Sequence, residues 1–245
     1  FISSLIMATS FYIIFAGRNG QWDIFTHGFM MVCIYYLYLF FTSEKQKYMH
    51  AVIAALFFGF SFMSKGPVSL YALFLPFLIS FGIVYKYQNF KSRFLPLLIF
   101  LVVALLVSGW WHWYTYTFDT QDVAAITKKE TSNWTSYNVR PFYYYWSFFT
   151  QSGVWTIPAF VGLLYPYLKN RVFNKKAYLF TFLWTMVSVV LLSIIPEKKS
   201  RYLLPVLIPL ALNTGFYIEY LFRRFKELKD KRQTIPVYFN FGLIA

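Results

Sequence analysis

Residues 94–114, FLPLLIFLVVALLVSGWWHWY, run through 21 positions without a charged side chain. An α-helix rises about 1.5 Å per residue, so a run of this length covers the ~30 Å of hydrocarbon in a bilayer. Lipid offers no water to backbone N–H and C=O groups, and a helix is the structure that pairs them within one segment. Working outward from this run, apolar stretches broken by charged clusters fall near 1–16, 24–41, 51–63, 68–84, 142–168, 177–195 and 202–222. With 94–114 they make eight predicted crossings. The run 51–63 is short for a full crossing, and 142–168 is long and aromatic enough to begin with a helix lying in the interface. The whole chain is 58% hydrophobic and only 13% charged, which excludes a soluble domain with a polar surface. The expected fold is an all-α integral membrane protein, a polytopic bundle of about eight transmembrane helices.

The net charge of +14 invites a nucleic-acid reading, but the basic residues lie in short clusters between apolar runs, where membrane topology puts them. No nucleic-acid partner is expected. The single cysteine, Cys33, sits inside an apolar run and supports neither a disulfide framework nor a metal cluster. The chain opens on FISSLIMATSFYIIFA with neither Met nor a basic leader, and it stops inside VYFNFGLIA. An internal piece of a longer membrane protein, incomplete at both ends, is therefore expected over residues 1–245.

Alternation of the predicted spans puts the loops near 42–50, 85–93, 169–176 and 223–235 on one side. They carry fifteen of the 23 basic residues, and by the positive-inside rule they mark the cytoplasm. The other eight face outward: Arg18, Lys65, Lys128, Lys129, Arg140, Lys198, Lys199 and Arg201. Asp23, Asp119, Asp122, Glu130 and Glu197 share their side. Bases and acids mixed at the outer end of an apolar bundle suit a site for an anionic, membrane-bound substrate.

Four segments supply the candidates. In SFMSKGPVSLYALFLPF, residues 61–77, Lys65 precedes Gly66 and Pro67. It can snorkel to the interface, or it can join the free N–H groups of the next helix in holding a phosphate. In SIIPEKKSRYLLPVLIPLAL, residues 193–212, Pro196 ends one helix and Tyr202 opens the next. The basic turn between them is either a solvated loop or a phosphate cradle of lysine charge and guanidinium forks. Residues 118–158 read as the longest outer loop, ~25 residues of it without an apolar run. It leaves through Arg140, Phe142, Tyr143, Tyr144, Tyr145 and Trp146, an interfacial aromatic belt or a surface for sugar rings and prenyl chains. In GRNGQWDIF, residues 17–25, Arg18 and Asp23 stand at an outer helix end, where an exposed ion pair is the simplest reading. His112 reads as an interfacial residue rather than a ligand.

Taken in series, Arg18…Asp23, SKGPVSLYALFLP, Glu130 with RPFYYYW and GVWTIP, and EKKSRYLLPVLIPLAL resemble the GT-C superfamily of polyprenyl-phosphate-sugar glycosyltransferases. The likeness is to the branch related to aminoarabinose transferase and protein O-mannosyltransferase. The resemblance implies an inverting transfer of a sugar from a polyprenyl-phosphate donor to a hydroxyl acceptor, lipid, glycan or protein. It places the reaction on the outer face of a bacterial inner membrane. It implies donor-phosphate contacts from Lys65, Lys198, Arg201 and Tyr202. A substrate cavity would be built by Arg18, Asp23, Glu130, Arg140, Tyr143 and Tyr144. Membrane lipid and the lipid-linked sugar are the partners it implies. No cofactor is expected, with room left for a divalent metal. The family's general base is an acidic residue of the first outer loop, expected upstream of Phe1, with Asp23 as a secondary acid. The alternatives are a non-catalytic subunit or degenerate relative in a larger assembly, and a lipid-linked sugar flippase or polymerase.

Overall fold

The computed structural model describes residues 1–87, 90–227, 235, 238, 239 and 242. Of the predicted cytoplasmic cations, Lys229, Lys231 and Arg232 lie outside the described residues, as does most of the final apolar run. The described residues are helical, with no strand and one isolated β-bridge between Val139 and Glu197. The all-α expectation holds. Five helices are long and apolar enough to cross a membrane. They are α3 (Asp23–Thr42), α4 (Lys47–Lys65), α6 (Phe90–Phe118), α10 (Lys175–Ile194) and α11 (Leu207–Glu227), the last extended at its start by a 3-10 segment, Ser200–Val206.

Three of the eight predicted crossings are not single long helices. Residues 1–16 form two short helices, α1 (Ile2–Ala8) and α2 (Phe11–Arg18), because the chain turns extended at Ser10. The hydroxyls of Thr9 and Ser10 satisfy the carbonyls of Leu5 and Ile6 there, each at 2.7 Å. Residues 68–84 hold a π-helical turn, Leu70–Phe74, followed by α5 (Leu75–Val84). Residues 142–168 run as two 3-10 segments and two short helices, α8 (Thr156–Gly162) and α9 (Tyr165–Leu168), punctuated by Gly153, Pro158 and Pro166. In the other direction, the short run 51–63 is the middle of a 19-residue helix, α4.

The largest correction concerns the long outer loop. Helix α7 (Thr120–Ser136) occupies it, and it packs on α6 with nearly all its surface exposed.

Packing pairs α3 with α4 and α4 with α6. Gly59 lets α4 approach α6 closely, since a Cβ there would clash with the Val107 side chain. A second group packs α10 against α5 and α11, and α11 against α1 and α8. Large side chains such as Leu105 and Leu106 face outward from α6, as expected where lipid is the solvent.

Loop ends gather at two ends of the bundle. At one, Arg93 Nη2 meets Glu44 Oε1 at 2.7 Å, Lys47 pairs with Glu44, and Arg223 Nη2 donates to the Arg171 carbonyl at 2.6 Å. At the other, Asp23 meets Lys65, and His112 packs edge-on to Phe62 with ring centroids 5.5 Å apart. The turn after α10 meets residues 138–145 at that same end.

Candidate active site: a basic cleft beside an apolar groove

The turn after α10 is pinned from three directions. Residues 138–140 lie antiparallel to it. Lys198 N–H donates to the Asn138 carbonyl at 3.1 Å, and Arg140 N–H donates to the Pro196 carbonyl at 3.2 Å. Asn138 itself takes a left-handed φ of 48° to make that approach. From below, the buried Tyr145 hydroxyl accepts from Lys199 N–H at 2.9 Å and donates to the Lys199 carbonyl at 3.1 Å. From within, Lys198 Nζ donates to the Ser193 and Ile195 carbonyls at 3.0 and 2.5 Å, closing the C-terminus of α10.

This turn is the wall of two cavities. On one side is a cleft of about 510 Å³ lined by Tyr12, Gln21, Tyr137, Asn138, Arg140, Tyr144, Lys198, Lys199, Ser200 and Arg201. Four of those residues are cationic and none is a carboxylate. On the other side is a groove of about 490 Å³ lined by Pro67, Val68, Leu70, Tyr71, Phe74, Leu75, Leu78, Leu192, Ile195, Glu197 and Tyr202. Apart from Glu197 and the hydroxyls of Tyr71 and Tyr202, the groove is lined by apolar side chains. The turn thus puts Lys198–Arg201 on a basic cleft and its two flanking residues on an apolar one.

The cations of the cleft are not equivalent. Lys198 is buried and its ammonium is spent on carbonyls; desolvation holds its pKa below the usual lysine value. Lys199 Nζ pairs with the buried carboxylate of Glu197. Burial pulls its pKa down, but the Glu197 hydrogen bond and the neighbouring charges outweigh this and leave it raised. Arg201 keeps a buried Nε without a hydrogen-bond partner, and its guanidinium carbon stands 5.8 Å from the Tyr202 ring centroid. Arg140 is exposed at the rim. Among the described residues, neither arginine has an ion pair.

Lys65 does not line either cavity. It closes α4, Gly66 turns the chain with φ 72°, and the Pro67 carbonyl accepts Tyr71 N–H at 3.1 Å as the next helix opens. Lys65 Nζ donates to both Asp23 carboxylate oxygens at 2.6 Å. Asp23 is buried in the first turn of α3, so the predicted exposed pair of Asp23 with Arg18 is corrected: Arg18 points to solvent and Lys65 takes its place. Each charge suits its helix end, an acid at the N-terminus and a base at the C-terminus. The pair lies close behind the cleft, since Tyr12 on the cleft wall is within electrostatic reach of both Asp23 and Arg201.

Of the ten predicted site residues, Arg140, Tyr144, Lys198 and Arg201 come together on the cleft, and Tyr202 on the groove. Tyr143 is exposed outside both cavities, and Glu130 is exposed on α7. The sequence reading missed Tyr12, Gln21, Tyr137 and Asn138, and it read Lys199 and Ser200 only as part of the basic turn. It also missed His27, buried beside the ion pair with Nδ1 2.6 Å from Ser69 Oγ. Among the described residues, no group of three or more His, Cys, Asp or Glu side chains is arranged to hold a metal ion.

Comparison with known proteins bears on this architecture. Residues 1–113 match the model of a family described as dolichyl-phosphate-mannose-protein mannosyltransferase. A relative from Serratia proteamaculans (strain 568), named undecaprenyl phosphate-alpha-4-amino-4-deoxy-L-arabinose arabinosyl transferase, is 26% identical over 194 residues. The chain is therefore similar to glycosyltransferases of the GT-C type. That alignment covers 76% of this chain and 33% of the relative. An uncharacterized protein from Aquifex aeolicus (strain VF5) is 23% identical over 223 residues, 89% of this chain and 42% of that one. The GT-C-like chain therefore spans between a third and a half of the length of these relatives. No solved structure gives a significant match. The family match includes Asp23, Lys65 and the groove residues 67–78, while the basic turn lies beyond it.

Proposed function

We propose that the cleft and groove hold a polyprenyl-phosphate sugar, with the phosphate in the cleft and the prenyl chain in the groove. The protein then moves the sugar, with inversion, to a hydroxyl acceptor at the outer face of a bacterial inner membrane. The observation that carries this reading is the shared wall, because the donor too joins an anionic head directly to a long apolar tail.

The chemistry asks for such a site. The acceptor oxygen attacks the anomeric carbon as the bond from that carbon to the phosphate oxygen breaks, and negative charge grows on the departing phosphate. Fixed cations stabilise that charge without reorganising. Arg201 is the first of these, with its desolvated, unpartnered Nε, and Arg140 adds positive charge at the rim. Lys198 acts on the backbone of the turn, holding the cradle in shape. Tyr202 stands where head and tail meet. Lys65 and Asp23 brace the two helices behind the cleft, a positioning role.

A second reading draws on one observation: no carboxylate lines the cleft, and Asp23 and Glu197 are both ion-paired. A binding subunit or degenerate relative would hold the lipid-linked sugar without transferring it.

A transfer assay with a radiolabelled polyprenyl-phosphate sugar separates the readings. Transferase activity is expected to fall about 10–100-fold in Arg201→Ala, the loss of ~1.5–3 kcal/mol for a hydrogen bond to a charged group. Near-wild-type transfer by that variant contradicts the phosphate assignment. Donor binding without transfer by the wild-type protein favours the second reading.

A further inference from the structure

At the opposite end of α11, about 30 Å from the cleft by helix rise, the chain builds a second basic pocket that donor transfer does not use. Its volume is about 250 Å³, and Asn170, Arg171, Tyr220, Arg223, Arg224 and Glu227 line it. We propose that this pocket binds a phosphate group, carried by an anionic phospholipid headgroup or by free phosphate.

Two features set it apart from a solvated basic loop. The first is preorganisation. Arg171 lies over the Tyr167 ring, its guanidinium carbon 3.9 Å from the ring centroid, with Nη1 donating to the Tyr167 carbonyl at 3.1 Å. Arg223 staples the loop to α11, giving Nη2 to the Arg171 carbonyl at 2.6 Å and Nε to Glu219 Oε1 at 3.0 Å. Orienting a membrane protein requires positive charge but no such fixed geometry. A guanidinium held in one plane matches phosphate oxygens in a way a freely rotating lysine does not.

The second feature is charge balance. Among the described residues, three guanidinium groups stand with two carboxylates, Glu219 on Arg223 and Glu227 on the wall, leaving one net positive charge. One phosphodiester neutralises it. Around the pocket, Phe173, Phe222 and Phe225 are exposed, and Lys169, Lys175 and Lys176 share its end of the bundle. Exposed rings beside a basic pocket mark the level of lipid headgroups.

The test is native mass spectrometry of the delipidated, full-length protein titrated with phosphatidylglycerol, phosphatidylcholine and inorganic phosphate. The expected result is preferential phosphatidylglycerol retention that weakens about tenfold or more in Arg171→Gln/Arg224→Gln, the loss of fixed hydrogen bonds from guanidinium to phosphate. The control Lys175→Gln/Lys176→Gln, with the same charge loss outside the pocket, is expected to stay within about twofold of wild type. Arg171→Lys keeps the charge and removes the planar fork, so it is expected to weaken binding even if the double variant folds poorly. Phosphatidylglycerol preference assigns the phosphate to a lipid. Displacement by inorganic phosphate, with no preference among lipids and the same loss in the arginine variant, assigns it to free phosphate. Equal loss in the arginine and lysine variants, or no loss in either, overturns the site.

Discussion

Two lysine–carboxylate pairs stand at the same end of the bundle and are built for different tasks. Lys65 and Asp23 come from the facing ends of two long antiparallel helices, with Asp23 side chain 3% exposed and Lys65 side chain 26% exposed, and neither lines the cleft or the groove. Lys199 and Glu197 are two residues apart in one turn, with Lys199 on the basic cleft and Glu197 on the apolar groove. The first pair ties helix to helix, and the second stiffens a wall. Among the described residues, the cleft's two cations without an ion pair are Arg201 and Arg140, while Lys65, the lysine that the sequence makes most conspicuous, is held by Asp23.

Breaking the first pair is expected to have the largest effect. Asp23→Asn leaves Lys65 facing a neutral amide in a mostly buried site, where removing one partner of a fully buried pair costs ~3–5 kcal/mol; the partial exposure of Lys65 puts the loss at the low end. Thermal unfolding in detergent checks this, and the double variant Asp23→Asn/Lys65→Met should recover most of the lost stability. A double variant as unstable as the single one would show that the pair does not act as a unit.

The next effect separates charge for scaffold from charge for substrate. Arg201→Gln should raise the donor KM about tenfold or more with an unchanged melting temperature, whereas Lys65→Met should lower the melting temperature first. The reverse pattern would exchange the two roles. Smaller again is Lys198→Met, which removes a cap from the α10 C-terminus and should cost about 1 kcal/mol of stability.

The smallest is a pH effect at Lys199. Its folded-state pKa is raised above the ordinary value of 10.5, so the stabilisation from its pair with Glu197 is complete below that value. It is lost as pH rises through the folded-state pKa. The difference in melting temperature between wild type and Lys199→Met should therefore hold from neutral pH to about pH 10 and shrink only above it. A difference that fades near neutrality would contradict the raised pKa.

How much of this was legible in the sequence follows from what each signal depends on. Long uncharged runs announced α3, α6, α10 and α11, because lipid leaves a chain few alternatives. Helix α7 was hidden by its polarity: 119–136 is rich in charge and hydroxyls and reads as a loop, yet it contains neither Gly nor Pro to stop a helix. In 142–168 the glycine and prolines that break the crossing were in plain view, but apolar composition outweighed them in the reading. The basic turn was recognisable from its charge density. Its partners Tyr12, Gln21 and Asn138 were not, since only tertiary packing brings them from 60 to 190 residues away. The Asp23–Lys65 pair was within reach. Two helices of 20 and 19 residues joined by a short loop bring their outer ends together, and one carries the acid and the other the base.

The central claim is that one turn divides a phosphate-binding cleft from a prenyl-binding groove. Its most direct test is the ratio of affinities for a polyprenyl phosphate and for the corresponding polyprenol, measured on wild type and on Arg201→Gln by equilibrium binding in nanodiscs. The account predicts a wild-type preference for the phosphate that falls about tenfold or more in the variant, while polyprenol affinity stays unchanged. An unchanged preference in Arg201→Gln, or an equal loss of both ligands, would contradict it.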